Sequence, residues 1–376
     1  MEDSIFAVGK KLAEKNYQTT LALRCEQRFL NYGGLLQLMS QPKASLYASR
    51  ITGTGSAFPQ TVLTNAELSK RVETSNEWIL ERTGIRERRI SEPGNPKEFN
   101  SSLGLLAAQR ALEMAGKRPE DIDQILYATC SPDTLLPTTS CWLQSKLGAK
   151  NAWAMDVNGA CSGFIYGLTT ADNFIRSGQV KTSLVVGAEV LSAITNWSDR
   201  GSCILFGDGA GATVVEQVPA DSERRILSSH LHSDGNLWEL FHIPAGGSNM
   251  EVTPDAFAQK LNKMTMKGRE IFKVAVRTLS EFANKALVAN GMTIDDVDWI
   301  IPHQANLRII EAVAKRLNVP MEKVIVNLDR HGNTSSASVP SCLDEAVRDG
   351  RVKPGHTIMM DVFGAGLTYG SLMMKW

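Results

Sequence analysis

Cysteine is scarce in this sequence: six residues in 376 (25, 130, 141, 161, 203 and 342), and none of them in a C-x-x-C pair. That scarcity excludes a disulfide-built secreted scaffold and fits a reducing compartment, with the cytoplasm the expected location. No spacing of potential ligands marks a metal site. An excess of charge is missing as well, because 40 basic residues balance 40 acidic ones. The total therefore recommends neither nucleic acid nor membrane as a partner. Long apolar runs are absent from the first 38 residues, and Glu2, Asp3, Glu14 and Glu26 argue against an organellar transit peptide. Met39, followed by the polar stretch Ser40 to Ser45, is a candidate translation start, and residues 1–48 read as an N-terminal appendage. A complete dinucleotide fingerprint is lacking too. Arg50 to Pro59 reads as a strand breaking into a glycine loop, but Gly53-x-Gly55 has no third glycine.

What is present is ordinary globular composition, 43% hydrophobic, in a chain long enough for two domains or one duplicated domain. Sliding the sequence along itself favours duplication. Ala111-Leu-Glu-Met-Ala-Gly-Lys-Arg-Pro-Glu-Asp-Ile-Asp-Gln-Ile-Leu126 aligns without gaps on Ala286-Leu-Val-Ala-Asn-Gly-Met-Thr-Ile-Asp-Asp-Val-Asp-Trp-Ile-Ile301. Each copy reads as a helix closed by a C-cap glycine, a turn and a buried strand. Phe206-Gly-Asp-Gly-Ala-Gly-Ala-Thr213 likewise matches Phe363-Gly-Ala-Gly-Leu-Thr368, each followed by an apolar strand. Val324-Ile-Val-Asn-Leu328 is expected to be a further strand, leading to His331-Gly-Asn-Thr-Ser-Ser-Ala-Ser338 and a helix. The expected architecture is α/β, with halves at 49–218 and 226–376 built on mainly parallel, helix-covered sheets.

The stretch Met155-Asp-Val-Asn-Gly-Ala-Cys-Ser-Gly-Phe-Ile-Tyr-Gly167 joins a short apolar strand, expected to be buried, to a helix on which Phe164, Leu168 and Ala171 recur at helical spacing. Cys161 stands at the corner. Free thiols titrate near ~8.5, and a helix N-terminus favours the thiolate, which makes Cys161 a candidate nucleophile. A free cysteine is also commonly a small buried hydrophobe. Corresponding corners of the second half carry His303, in Pro302-His-Gln-Ala-Asn306, and Asn333. A lone loop histidine is more often structural, but Cys161, His303 and Asn333 at three strand-to-helix corners form a coherent set.

Near the N-terminus, Thr64-x-x-Glu67 reads as a capping box and Ser75 as the cap of a helix carrying Trp78. Arg82 to Arg89 then concentrates four arginines in eight residues. Such a run is either a solvated charge cluster or a phosphate anchor, with Trp78 available to stack on a flat ring.

Taken together, Gly-Ala-Cys-Ser-Gly, Thr-Gly-Ile-Arg-Glu-Arg, Phe-Gly-Asp-Gly-Ala-Gly, His-Gln-Ala-Asn-Leu-Arg, Arg-His-Gly-Asn-Thr-Ser and Phe-Gly-Ala-Gly-Leu-Thr resemble the β-ketoacyl-acyl-carrier-protein synthase III family of the thiolase superfamily, from Ile51 to Trp376. The resemblance implies the five-layered αβαβα thiolase fold, a homodimer, and a condensing enzyme that starts type II fatty-acid synthesis. It implies that acyl-CoA, a substrate rather than a cofactor, acylates Cys161, and that malonyl-acyl-carrier protein then condenses with loss of CO2. His303 and Asn333 would hold the enolate, and the backbone amides of Cys161 and Ala365 the acyl oxyanion. Trp78, Arg82, Thr83 and Arg200 would bind coenzyme A, while Lys273, Arg308, Lys315 and Arg316 would meet the carrier protein. Leu136 would close the partner's acyl pocket where some acetyl-specific members carry phenylalanine. A related Cys-His-Asn enzyme priming a polyketide pathway, or a silent carrier-protein-binding homologue, is the alternative.

Overall fold

The computed structural model describes residues 45–376. Met39 and most of the stretch 1–48 lie outside the described residues, and the first strand, Tyr47–Ala57, begins inside that stretch. Two sheets carry the fold. The first has the order Tyr47–Ala57, Gly209–Pro219, Thr182–Glu189, Gln124–Ala128, Trp153–Val157. Its first three strands are antiparallel to their neighbours and its last three are mutually parallel. The second runs Ile226–Ser233, Thr368–Lys375, Thr357–Gly364, Trp299–Pro302 with the same polarities. Its fifth place is held by one parallel bridge, Ile300 to Val324. The strand expected at Val324–Leu328 is thus reduced to a single pairing residue, since Leu328 already opens the short helix Leu328–His331.

Between the sheets lie the helices Gly163–Arg176 and Ser338–Arg348, each buried on more than one side. Phe164, Leu168, Ile175, Val339, Leu343 and Ala346 share one core with inward residues of both sheets, including Leu126, Val185, Met360 and Leu372. Asn100–Ala115 and Thr139–Leu147 cover the outer face of the first sheet. Gly268–Ala289 and Leu307–Leu317 cover that of the second. The result is the αβαβα layering expected of a thiolase-like fold.

The repeated sequence units have matching local structures. Asn100–Ala115 is closed by Gly116 at φ 63°, and Gly268–Ala289 is followed by Gly291 at φ 62°. A 3-10 turn (Pro119–Asp121, Ile294–Asp296) and a strand follow in each. Both predicted N-caps form: Thr64 and Glu67 close a capping box, and the Ser75 side chain accepts from Trp78 N–H.

The glycines at 53 and 55 are not a loop. They lie within Tyr47–Ala57, and a Cβ on either would stand 2.1 Å from a backbone oxygen, Ala111 or Ala107, of the covering helix. Glycine is needed there for close strand-to-helix approach. The strand Trp153–Val157 also departs from expectation. It is a sheet edge rather than a buried strand, with Trp153 41% and Met155 37% exposed. No helix among the described residues is long and apolar enough to cross a membrane.

Candidate active site

Cys161 sits in the 3-10 turn Ala160–Ser162 that opens the central helix Gly163–Arg176. The turn is fastened by two bonds to Thr368, which follows the Gly364–Gly366 loop: Ser162 Oγ donates to Thr368 O at 2.9 Å, and Thr368 Oγ1 donates to Gly159 O at 2.9 Å. A Cβ at Gly364 would lie 2.8 Å from Cys161 N, so the loop needs glycine to lie this close. Ala365 follows directly in that loop. Burial pushes the Cys161 thiol up to about 12, Glu189 pushes the same way, and the nearby Ser335 hydroxyl and the Cys161 backbone N–H oppose them. Burial thus works against the thiolate that the helix N-terminus favours.

His303 follows the strand Trp299–Pro302 and is almost fully buried. Its N–H donates to Asp361 O at 2.7 Å, which ties the loop to the neighbouring strand. Burial pushes the imidazole down to about 3, so the ring is neutral at physiological pH. Its Nδ1 lies 2.8 Å from Ser338 Oγ, the first residue of the second central helix. Ser338 Oγ also accepts from Gln304 N–H at 3.4 Å, so its own hydrogen is available to Nδ1. That arrangement places the ring proton on Nε2, making it a neutral donor. Gln304 is structural: its amide donates to Pro302 O and Ile325 O and accepts from Asn327 N–H.

Asn333 forms a parallel bridge with Phe206, donating to Leu205 O at 2.8 Å and accepting from Gly207 N–H at 3.0 Å. Its Oδ1 accepts from Ser335 N–H at 2.8 Å, which leaves the amide NH2 as the group to be offered. Cys161, His303 and Asn333 all line one cavity of about 930 Å³. A second cavity of about 490 Å³ shares Cys161, Phe206, Phe241 and Ala365 with the first. Its remaining walls are largely apolar, with Leu191, Ile194, Trp238, Ile243 and Met264.

The larger cavity also reaches Trp78, Arg82, Thr83, Lys273 and Arg308. The Arg82 and Arg200 guanidinium carbons stand 4.6 and 4.8 Å from the Trp78 ring centroid, a cation–π arrangement. Thr83 is buried and its hydroxyl is engaged, donating to Ile79 O at 2.7 Å and accepting from Ile85 N–H at 3.0 Å. Asn306 caps Leu307–Leu317 through Arg308 N–H and reaches Arg82 O at 3.1 Å, joining the two helices that frame the opening. Arg308, Lys315 and Arg316 are exposed on that helix, and Lys273 on Gly268–Ala289. Leu136 is 86% exposed and lines neither cavity in the single chain.

The arginine run divides in a way that neither reading of the sequence anticipated. Arg88 is fully buried and donates to Leu63 O, Asn65 Oδ1 and Ile204 O, so it braces the segment that carries Leu205 and Phe206 against Asn333. Glu189 was likewise missed. This fully buried carboxylate accepts from Thr129, Cys130, Ser131 and Ser336, and burial raises its pKa. Its signal in sequence would have been an acid at the end of an otherwise apolar strand, Thr182–Glu189.

Comparison with known proteins gives the family. Models of the 3-oxoacyl-[acyl-carrier-protein] synthase III family and of its C-terminal region match residues 155–235 and 287–376. A β-ketoacyl-[acyl-carrier-protein] synthase III of Xanthomonas euvesicatoria is 52% identical over 331 residues, covering 87% of this chain and 98% of the relative. The crystal structure of 3-oxoacyl-[acyl-carrier-protein] synthase III from Aquifex aeolicus superposes with a TM-score of 0.80 at 44% identity, covering 87% of this chain and all of that one. The priming β-ketosynthase of the R1128 polyketide pathway gives 0.81 at 35%, over 89% of this chain and 98% of the other. The fold and the comparisons define a thiolase-fold condensing enzyme that transfers acyl groups. Within that class, the chain belongs to the β-ketoacyl-[acyl-carrier-protein] synthase III family.

Proposed function

We propose that this chain makes the first carbon–carbon bond of type II fatty-acid synthesis, joining an acyl group from acyl-CoA to malonyl-acyl-carrier protein. The supporting observation is the single cavity bearing buried Cys161, His303 and Asn333 together with exposed Arg82, Lys273 and Arg308. Cys161 sulfur attacks the acyl-CoA carbonyl, the bond to the coenzyme A sulfur breaks, and the thiol proton ends on the departing coenzyme A thiolate. One hard condensation thereby becomes two easier steps. Malonyl-carrier protein then loses CO2, and the electron pair forms an enolate whose oxygen accepts from His303 Nε2–H and the Asn333 amide. Neutral donors serve this step, since decarboxylation needs no proton removed. The carbanion attacks the acyl-Cys161 carbonyl, the tetrahedral oxyanion rests on the Cys161 and Ala365 amides, and Cys161 leaves as 3-oxoacyl-carrier protein forms.

Trp78, Arg82 and Arg200 would hold the nucleotide end of coenzyme A, the arginines moving from the Trp78 faces to admit the adenine ring. Thr83 would contribute to the wall rather than through its hydroxyl. Lys273, Arg308, Lys315 and Arg316 would meet an acidic carrier protein around the same opening. The smaller, apolar-walled cavity suits the starter chain. An exposed edge strand with Trp153 and Met155, near-fully exposed Leu135 and Leu136, and a free line of backbone groups favour a homodimer joined through this edge. A cytoplasmic location fits the chemistry. Polyketide priming remains the second reading, and its representative is a more distant match, at 35% against 52% identity.

Mass spectrometry after incubation with acetyl-CoA tests the reading. A 1:1 acetyl adduct on Cys161 that transfers to malonyl-carrier protein is expected, and an adduct on any other residue rejects it. Sedimentation should give a dimer; a monomer that retains full activity would reject the partner role of Leu136.

A further inference from the structure

Two residues after Asn333 the chain holds Ser335 at φ 49°, in the left-handed region that favours glycine. Its hydroxyl oxygen is buried and makes no hydrogen bond within ordinary limits among the described residues. A buried, unspent hydroxyl is costly, and such a group on an unfavourable backbone signals a use for it. Ser335 lines the smaller cavity beside Cys161 and Cys130, and the turns Ala160–Ser162 and Ser335–Ala337 pack together.

We propose that Ser335 is a further catalytic residue, whose hydroxyl donates a hydrogen bond to the Cys161 sulfur as the thiolate forms.

This inference rests on the reading of Cys161 as the nucleophile. The Ser335 hydroxyl also favours the Glu189 and Cys130 anions, so these are its competing acceptors. Glu189 already receives Thr129 Oγ1, Cys130 N–H, Ser131 Oγ and Ser336 Oγ, and the Cys130 thiol itself points at Glu189 at 3.5 Å. Among the groups acting on Cys161, Glu189 and burial disfavour its anion, neutral His303 adds no charge, and Ser335 is the foremost to favour it, ahead of the Cys161 N–H. The same residue fixes Asn333 through its N–H, so the Asn333 turn also serves the thiol. The hydroxyl has no geometrical partner at rest and gains one only when the sulfur becomes a strong acceptor.

The test compares Ser335→Gly and Ser335→Ala. Glycine keeps the N–H bond to Asn333 and suits the positive φ; alanine keeps the side-chain bulk without the oxygen. Iodoacetamide alkylation of Cys161, followed by peptide mapping from pH 6 to 10, all below its midpoint of about 12, should run about threefold slower at every pH in both variants: a midpoint raised by about one unit leaves roughly tenfold less thiolate, partly offset by that thiolate's greater nucleophilicity. Because a more basic thiolate is also more nucleophilic, self-acylation from acetyl-CoA should fall by only about threefold at neutral pH. Unaltered alkylation profiles in both variants would overturn the inference alone. No acylation of Cys161 in the unaltered chain would overturn the nucleophile reading and this inference with it. If the glycine variant does not fold, the alanine variant carries the test, its fold checked by thermal unfolding.

Discussion

The corner carrying Cys161 and the corner carrying Asn333 have the same backbone and opposite chemistry. Asn158 Oδ1 accepts from Ala160 N–H at 3.4 Å, and Asn333 Oδ1 accepts from Ser335 N–H at 2.8 Å. Ala160 and Ser335 then take left-handed φ values of 47° and 49°, each opens a 3-10 turn, and each turn runs into a central helix. Residue for residue, Cys161 stands opposite Ser336. The strands feeding the corners differ: five residues on an exposed edge for Cys161, one buried bridge at Val324 for Asn333. Two corners thus keep the same turn, while on the proposed reading one carries the nucleophile and the other an enolate donor. On that reading, priming would fall mainly to the first half and condensation to the second.

The strongest test of that division is to exchange the chemistry. Cys161→Ser should abolish acyl-enzyme formation, since a hydroxyl is far too weak an acid to replace the thiol. Adding Ser336→Cys should not restore it, because Ser336 Oγ is turned to Ala128 O and Glu189 rather than to the cavity. Intact-mass analysis decides, and acylation at position 336 would make the corners interchangeable. Next in size, His303→Ala and Asn333→Ala should each cost on the order of 3 kcal/mol, about a hundredfold, in malonyl decarboxylation and much less in self-acylation. Single-turnover assays of the two steps separate the effects, and acylation lost first would reverse the assignment.

Smaller effects sharpen the comparison. Arg308→Glu should raise KM for malonyl-carrier protein by about tenfold with acetyl-CoA priming little changed. Its exposed pairing with Glu81 at 3.4 Å contributes little to stability, so unfolding should not confuse the result. Equal loss in both half-reactions would reject a separate docking surface. Leu136→Phe in the first half should narrow starter preference toward acetyl-CoA through overpacking, read from kcat/KM for acetyl-, butyryl- and isobutyryl-CoA. An unchanged ranking would remove Leu136 from starter selection. Smallest is Ala160→Gly: relief of the left-handed strain outweighs the added chain entropy by about 0.5–1 kcal/mol, a rise of a few degrees at most in Tm. A lower Tm would mean that Ala160 is held in place by its methyl contacts.

Periodicity, caps and repeats were legible in the sequence because they depend on residues a few positions apart. The Ser75 cap and the paired helix–glycine–strand units at Ala111–Leu126 and Ala286–Ile301 are of this kind. Cys161, His303 and Asn333 could be nominated the same way, each standing where an apolar strand pattern breaks into a helix. Tertiary structure decided what those groups experience. Burial by both halves pushes the Cys161 thiol up and keeps His303 neutral, and the Ser338 hydroxyl that orients His303 arrives 35 positions later. The covering helix made Gly53 and Gly55 packing residues, and bonds to Leu63 and Ile204 drew Arg88 out of an apparently solvated run. Desolvation and close approach are set by atoms distant in the chain, so a sequence states which groups are available and only the fold states what surrounds them.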